Sequence, residues 1–384
     1  MPKLVRITTV PVSLLVLLKG QMKYMSEHGF EVTMISSHGE EVPKLLEQEK
    51  CAHIPVMLTR KITPIQDLKS LIQLTRILKK IKPDIVHTHT PKAGLIGMWA
   101  AKLAGVPIRL HTIAGLPWVE SSGIMRKVLI FVEKLTAFAA HEIFPNSFVQ
   151  KKFMESLNIA NGKMKVLGKG SSNGINTEHF SINDSILQAA LHLKNQAKLS
   201  SNGWVWIFVG RIVKDKGIAE LLDAFTELSQ RFPEDQLWMV GAPEPDLDPL
   251  EEKHQSILNN HPQIKCWGFQ QDIRPYLAAA KVLTFPSYRE GFPNVPLQAG
   301  AMGCMLLLSD INGCNEIVEN GVDGKLVPTK DRNQLLKAMM ESRLNPEKTN
   351  EFSKNIQQKI IDNYNQKTLW QILLKEYETR LKNV

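Results

Sequence analysis

Two doubly wound α/β halves facing across a cleft are the architecture this chain of 384 residues specifies. Its length exceeds what a single ordinary core organises. Short apolar runs alternate with stretches of helical periodicity, the pattern of a parallel sheet covered on both faces. The alternation lapses in a polar, Ser-, Asn- and Gly-rich stretch over 170–203, which holds one helical patch, and then begins again.

In the first half, strands are expected at LVRITTV (4–10), EVTMIS (31–36), HIPVM (53–57), DIVHTH (84–89), IRLHTI (108–113), EIFPNS (142–147) and MKVLG (164–168). Helical periodicity covers 68–81 and 93–105, the latter stopped by a glycine ahead of Val-Pro. The run VPVSLLVLLKG (10–20) has the length of a signal-peptide core. No small-residue cleavage site follows it, so a core helix is expected there. In the second half, WVWIFVG (204–210) leads into a helix over 215–232. QLWMVG (236–241), IKCWG (264–268), VLTFPS (282–287), MLLLS (305–309) and GKLV (324–327) follow as strands, with helical segments between. Rossmann-like domains are expected at 1–180 and 181–365. Ligands of such sheets bind outside the carboxyl ends of the strands, so the cleft between the domains is the expected site.

With 43% apolar and 22% charged residues the composition is that of a folded globular protein. No apolar run reaches the roughly 18–20 residues of a membrane span. Cys51, Cys266, Cys304 and Cys314 lack metal-type spacing and read as reduced thiols of a cytosolic protein. The net charge of +9 is lopsided: residues 1–180 hold 24 basic and 13 acidic side chains, and residues 181–384 hold 23 and 25. A basic half suits nucleic acid, a membrane surface or a phosphate-bearing substrate, and equally suits simple solubility.

Two motifs carry chemistry. In FVGRIVKDKG (208–217) a strand end opens through Gly210 into a helix start. Arg211 and Lys216 there stand beside free backbone N–H groups, a good seat for a diphosphate. Arginine grips phosphate with two prongs and lysine supplies a point charge. In REGFPNVPLQAGAMG (289–303) a helix is expected to start near Pro293 or Pro296, directing the N–H groups around Asn294 and Val295 at the same place. Glu290 accepts hydrogen bonds from hydroxyls, and Gln298 both donates and accepts. Sugar hydroxyls are the natural quarry of that pair. The bland readings are a solvated basic turn for the first motif and a capping acid plus a surface glutamine for the second; Glu290 or Gln298 alone would favour the latter.

Together these motifs resemble those of the family-4 retaining glycosyltransferases of the GT-B fold. The resemblance extends through VHTHTPKAGLIGMWAAKLAGVP (86–107), HTIAGLPW (111–118), NGIN (173–176) and NEIVENGVDGKLVP (315–328), and is to the capsule and O-antigen branch. It implies that Arg211 and Lys216 bind the diphosphate of a nucleotide-sugar donor. Glu290 takes the first acidic role, and Gln298 stands where the family has a second glutamate. Gly210, Gly291, Phe292, Asn294 and Val295 are implied as the remaining donor contacts. The final helix (366–384) is implied to cross back onto the first domain.

On the acceptor side relatives carry a Gly-rich loop and an HG pair. This chain has TTVPVSLLVLLKGQ (8–21) and Ala114 at those places. His111 is then the acceptor-side candidate, as either a catalytic or a structural histidine, with Lys92 and Lys19 on the same side. His87 and His89 share a strand face, which a metal site needs, but no third ligand accompanies them. GKGSSNG (168–174) imitates a dinucleotide loop without the following acid and reads as a cleft-lining hinge. PDLDP (245–249) contains an Asp-x-Asp triplet that arises easily by chance. No cofactor and no obligatory metal are expected.

The implied reaction is retaining transfer of a sugar from a nucleoside diphosphate sugar to a hydroxyl of a glycan or polyprenyl-diphosphate-linked glycan. The leaving phosphate would assist deprotonation, so no hydrolase-like carboxylate pair is needed. Nucleic acid has no place in this reading. The protein is expected in the cytoplasm, peripheral to the inner face of the cytoplasmic membrane. The basic helices over 68–82 and 125–138 would touch anionic lipid there. A nucleotide-sugar 2-epimerase, a binding homologue without turnover and a dinucleotide-dependent oxidoreductase are the competing readings.

Overall fold

The structure is a computed structural model that describes residues 1–116, 118, 121–244 and 248–383. It divides into two compact units: Met1–Gly174 with Gln366–Val384, and Ile175–Asn365.

The first unit runs β1 (Lys3–Ile7), α1 (Gln21–Glu27), β2 (Glu31–Ser36), α2 (Val42–Glu49), β3 (Ala52–Pro55), α3 (Pro64–Ile81), β4 (Ile85–His89), α4 (Pro91–Leu103), β5 (Ile108–Ile113), α5 (Gly123–Ala139), β6 (Glu142–Pro145) and α6 (Phe148–Ser156). The second runs α7 (Asp184–Gln196), β7 (Val205–Val209), α8 (Ile218–Arg231), β8 (Gln236–Val240), α9 (Glu252–Asn260), β9 (Ile264–Gly268), α10 (Arg274–Ala279), β10 (Val282–Phe285), α11 (Asn294–Ala301), β11 (Met305–Ser309), α12 (Cys314–Ile317), β12 (Lys325–Val327), α13 (Arg332–Leu344) and α14 (Pro346–Asn363). The last helix, α15 (Gln366–Leu381), returns to the first unit.

Each unit holds one six-stranded sheet, in the orders β3-β2-β1-β4-β5-β6 and β12-β11-β10-β7-β8-β9, with every pairing parallel. Read from opposite ends, the two orders are the same doubly wound order. Its direction of winding reverses between β1 and β4, and between β7 and β10, which are the switch points where such sheets bind ligands. The expected two-sheet α/β fold is therefore the observed one. Central strands such as VWIFV of β7 and MLLLS of β11 are buried at every position. Each large apolar side chain so covered contributes about 1.5–3 kcal/mol.

Local expectations fail in two places. Residues 10–20 do not form a core helix. Ser13–Leu17 is a five-residue π-helical turn that buries Leu14 and Leu18 but leaves Val16 59% exposed. Propagation stops at Gly20, which has φ +81° and lies so close to the Trp370 ring that a Cβ would come within 2.7 Å of it. Residues 164–168 make a single bridge, Met164 to Ile143, rather than a strand. Gly168 and Gly170, both at positive φ, turn the chain away at once.

Candidate functional site

The second unit gathers most of the expected donor residues at its switch point. β7 leaves the sheet through Gly210, whose N–H reaches Val240 O at 2.9 Å. The strand ends meet closely there, since a Cβ on Gly241 would stand 1.8 Å from Gly210 O. Ile212 and Val213 then plug into the core, and a single 3-10 turn, Lys214–Lys216, carries the cations. Gly217 (φ +67°) closes that turn and abuts the exit of β10, with a would-be Cβ 2.1 Å from Pro286 O. The close approach brings the two motifs into register.

Lys216 Nζ lies 2.6 Å from Glu290 Oε1, with the two side chains only 14% and 16% exposed. The fully buried Ser287 donates its hydroxyl to the same oxygen at 2.9 Å. A brace of polar contacts fixes both turns. The Asp215 carboxylate accepts from Arg289 Nε and NH2 at 3.0 and 2.8 Å, and Asp248 Oδ2 accepts from Asp215 N at 2.7 Å. Tyr288 N–H reaches Asp215 O at 2.9 Å. The Tyr288 hydroxyl donates to Glu220 at 2.7 Å. Burial and that carboxylate push the phenol well above its usual range. Arg211 stands outside this cluster: its NH1 pairs with Glu244 Oε2 at 2.8 Å, both side chains being partly exposed.

α11 starts at Asn294 with Pro293 as its N-cap residue and no side-chain cap. The N–H groups of Asn294 and Val295 have no partner among the described residues. Phe292 is buried against Tyr364, ring centroids 5.6 Å apart, and Asn294 is exposed. Gln298, one turn into the helix, is half-buried, and its amide bonds no other described residue. Sequence reasoning missed Asn312, whose Nδ2 donates to Gly291 O at 3.0 Å and Glu290 O at 3.4 Å.

In the first unit no hydrogen bond or ion pair among the described residues joins the acceptor-side candidates to one another. His111 is 1% exposed, with Nδ1 2.8 Å from Thr88 Oγ1 and its ring seated against Gly94, where a Cβ would come within 2.4 Å. Burial pulls its imidazole down to about 4. Lys92 is committed to Asp67 at 2.8 Å and to the Lys61 carbonyl. Lys19 is exposed, and its carbonyl accepts from Asn173 and Gln366, each at 3.2 Å.

His87 and His89 belong to a buried network that the strand pattern did not reveal. Arg6 is fully buried. Its NH1 donates to Tyr377 OH at 2.7 Å, and its NH2 contacts Gln21 Oε1 and lies 2.7 Å from His89 Nε2. His87 bonds Tyr377 OH at 2.5 Å and Thr112 Oγ1 at 2.7 Å, so both its ring nitrogens are engaged. Burial, with the neighbouring guanidinium, holds both imidazoles well below their ordinary value. Nearby, a cavity of about 10 Å³ lined by His89, Asn146, Ser171 and Ser172 has room for about one water. The expected hinge at 168–174 is tied into this unit: Ser171 N–H reaches Asn146 O at 2.7 Å, and Asn173 Oδ1 accepts from Gln21 and Trp370 at 3.0 and 2.7 Å.

Among the described residues no three or more His, Cys, Asp or Glu gather as a metal site. Of the Asp-x-Asp triplet, Asp246 lies outside the described residues, and Asp248 is spent on Asp215. No described helix is long and apolar enough to cross a membrane. α3, α4 and α5 pack side by side. On α3, Ile65, Leu68 and Ile72 stand exposed among Lys69, Arg76, Lys79 and Lys80. On α5, Ile124, Val128, Phe131 and Phe138 stand exposed among Arg126, Lys127 and Lys134.

Residues 204–342 match the family described as glycosyl transferases group 1, and residues 10–146 match glycosyl transferase 4-like. The Staphylococcus aureus capsular polysaccharide biosynthesis glycosyltransferase CapM is 32% identical over 368 residues, covering 95% of this chain and 94% of that protein. An Escherichia coli UDP-Gal:alpha-D-GlcNAc-diphosphoundecaprenol alpha-1,3-galactosyltransferase is 29% identical over 90% of this chain and 88% of its own. In fold, Anabaena Alr3699/HepE, solved in complex with UDP, superposes with a TM-score of 0.83 at 20% identity, over 99% of this chain and 100% of that one.

Proposed function

Because the chain belongs to the group 1 glycosyl transferases and has their GT-B fold, we propose that it moves a sugar, with retention, from a nucleoside diphosphate sugar to a hydroxyl of a lipid-linked glycan in surface polysaccharide assembly. The observation that carries the donor half is the meeting of Lys216, Ser287 and Glu290 beside the uncapped start of α11. Lys216, Arg211 and the N–H groups around Asn294 set positive charge where the departing diphosphate becomes negative. The Glu290 oxygen left over from Lys216 and Ser287 accepts from a donor-sugar hydroxyl. Gln298 takes the ribose hydroxyls without the charge of a glutamate. Gly210, Gly291 and Phe292 let backbone approach the diphosphate. No metal is required, because the lysine, the arginine and the helix start supply the counter-charge.

The acceptor half rests on chemistry rather than on assembled residues. The Escherichia coli relative is named for a GlcNAc-diphosphoundecaprenol acceptor, and the first unit is basic with an apolar, cationic helical face. A polyprenyl-diphosphate-linked glycan at the cytoplasmic face of the membrane fits both. The outer faces of α3 and α5 would rest on anionic lipid, their apolar side chains in the headgroup boundary and their lysines on the lipid phosphates. The exposed Lys19 would meet an acceptor phosphate. His111 serves by packing, holding the β4 and β5 ends, and Lys92 pins the start of α3.

The test is direct transfer. UDP-, GDP- and ADP-sugars are offered with a polyprenyl-diphosphate disaccharide in detergent, and the anomeric configuration of the product is read by NMR. One donor class giving a product of unchanged configuration supports the proposal. Release of free sugar or epimerised donor, with no acceptor consumed, overturns it.

A further inference from the structure

The segment Ile311–Gly313 that follows β11 grips the loop carrying Glu290. Gly313 (φ +80°) lies against that loop so tightly that a Cβ would stand 2.4 Å from Gly291 O. Beside it, the Asn312 amide nitrogen donates to the carbonyls of two successive residues, Glu290 (3.4 Å) and Gly291 (3.0 Å). A trans peptide points its N–H opposite to its C=O. Holding these two carbonyls therefore turns the N–H groups of Gly291 and Phe292 away from Asn312. Neither N–H has a partner among the described residues. After Pro293, which has no N–H, come Asn294 and Val295 at the uncapped start of α11. Successive free N–H groups of this kind form an anion-binding concavity, and a helix start adds to it.

We propose that Asn312 is a positioning residue for the donor diphosphate: by holding the Glu290 and Gly291 carbonyls it aims the Gly291 and Phe292 N–H groups at the phosphate farther from the nucleoside. This rests on the donor-site reading above and adds a residue that touches no substrate. The chemistry makes the role specific to an amide. Asparagine donates; an aspartate of the same shape cannot, and its oxygens would repel both carbonyls and favour a flipped peptide. Phe292, locked against Tyr364, and Gly313, locked against the loop backbone, limit how far the rest of the loop can follow.

The experiment uses the full chain, with Asn312→Ala and Asn312→Asp variants. Calorimetric affinities for UDP, GDP and ADP and for the matching monophosphates are measured well below each variant's Tm. The diphosphate that wild type binds is expected to lose about threefold in Asn312→Ala and tenfold or more in Asn312→Asp, with its monophosphate changing less than twofold. A purely structural role would weaken mono- and diphosphate alike, and that result, or no loss in either variant, overturns the inference while leaving the donor site standing. Wild type that binds no nucleotide overturns the donor-site reading, and this inference falls with it. Should Asn312→Asp fold poorly, the Asn312→Ala diphosphate-to-monophosphate ratio decides alone.

Discussion

Replacing Lys216 by methionine isolates the contact on which the proposed donor site is built. The ammonium sits 2.6 Å from Glu290 Oε1 in a pair about 85% covered. Methionine keeps most of the length and apolar bulk but removes the charge. Glu290 is then left with the Ser287 hydroxyl alone. A carboxylate deprived of a largely buried partner costs about 1–3 kcal/mol. For a unit the size of Ile175–Asn365, that is a fall of about 2–4 °C in Tm per kcal/mol. Lys216→Met should therefore melt about 2–12 °C below wild type. Adding Glu290→Gln should restore part of the loss, because the stranded charge disappears. The effect on function should be larger and should not be restored. Loss of one charge-assisted phosphate contact worth about 1.5–3 kcal/mol lowers kcat/KM by about 10- to 150-fold. Differential scanning calorimetry of the two single variants and the double variant reads the stability cycle, and donor turnover reads the second effect. Strictly additive melting losses in the double variant would show that the two side chains do not pair, and the reasoning would be wrong.

Gly217→Ala combines a positive φ with a Cβ 2.1 Å from Pro286 O. It should cost at least about 2 kcal/mol in urea unfolding and weaken nucleotide binding. His111, buried and neutral with its imidazole lowered to about 4, stabilises the fold fully above the unfolded imidazole value of about 6.5. That contribution of about 3 kcal/mol is lost as pH falls from about 6.5 to 4, since the unfolded state takes up the proton first. His87 and His89 are shifted the same way and steepen the loss, so urea unfolding at pH 7.5 and 5 should show it, and His111→Gln should flatten it. Charge reversal at Lys79, Lys80 and Lys82 should reduce sedimentation with anionic vesicles at least tenfold and leave neutral vesicles unaffected. Gln298→Glu should change nucleotide affinity by less than about tenfold if the side chain meets only ribose hydroxyls, as a titration of the bound nucleoside diphosphate would show.

The strand positions were legible because a strand buried on both faces is spelled as a short apolar run, and runs such as VWIFV and MLLLS have few other uses. The motifs at 208–217 and 289–303 were legible as turns because each joins a strand end to a helix start. That the N–H groups of Ile212, Lys214, Asp215, Lys216 and Gly217 are spent on carbonyls and on the Asp248 carboxylate, where free ones were expected, was not. Contacts between residues far apart in sequence were not. Nothing in LVRITTV announces that Arg6 will be covered by Tyr377, a hydrogen bond spanning 371 positions. The pairing of Arg211 with Glu244 joins residues 33 apart across two strand exits. Asn312 looks like an ordinary loop polar residue until the sheet sets β11 beside β10. Residues 10–20 misled because apolar content fits a helix, whereas the ring of Trp370, packed on Gly20, decides where the chain must turn. His111 was legible as a strand-end histidine but not as one sealed between Thr88 and Gly94, because burial is set by the helix laid across it.

Arg211 and Lys216 are proposed to hold the diphosphate of a nucleotide-sugar donor. Calorimetric titration of UDP, GDP and ADP into wild type and into Arg211→Ala/Lys216→Ala tests this most directly. The predicted result is that wild type binds one of the three and the folded double variant binds it about 100-fold or more weakly, the loss expected from two charge-assisted contacts. Equal affinity in the two proteins would contradict the claim.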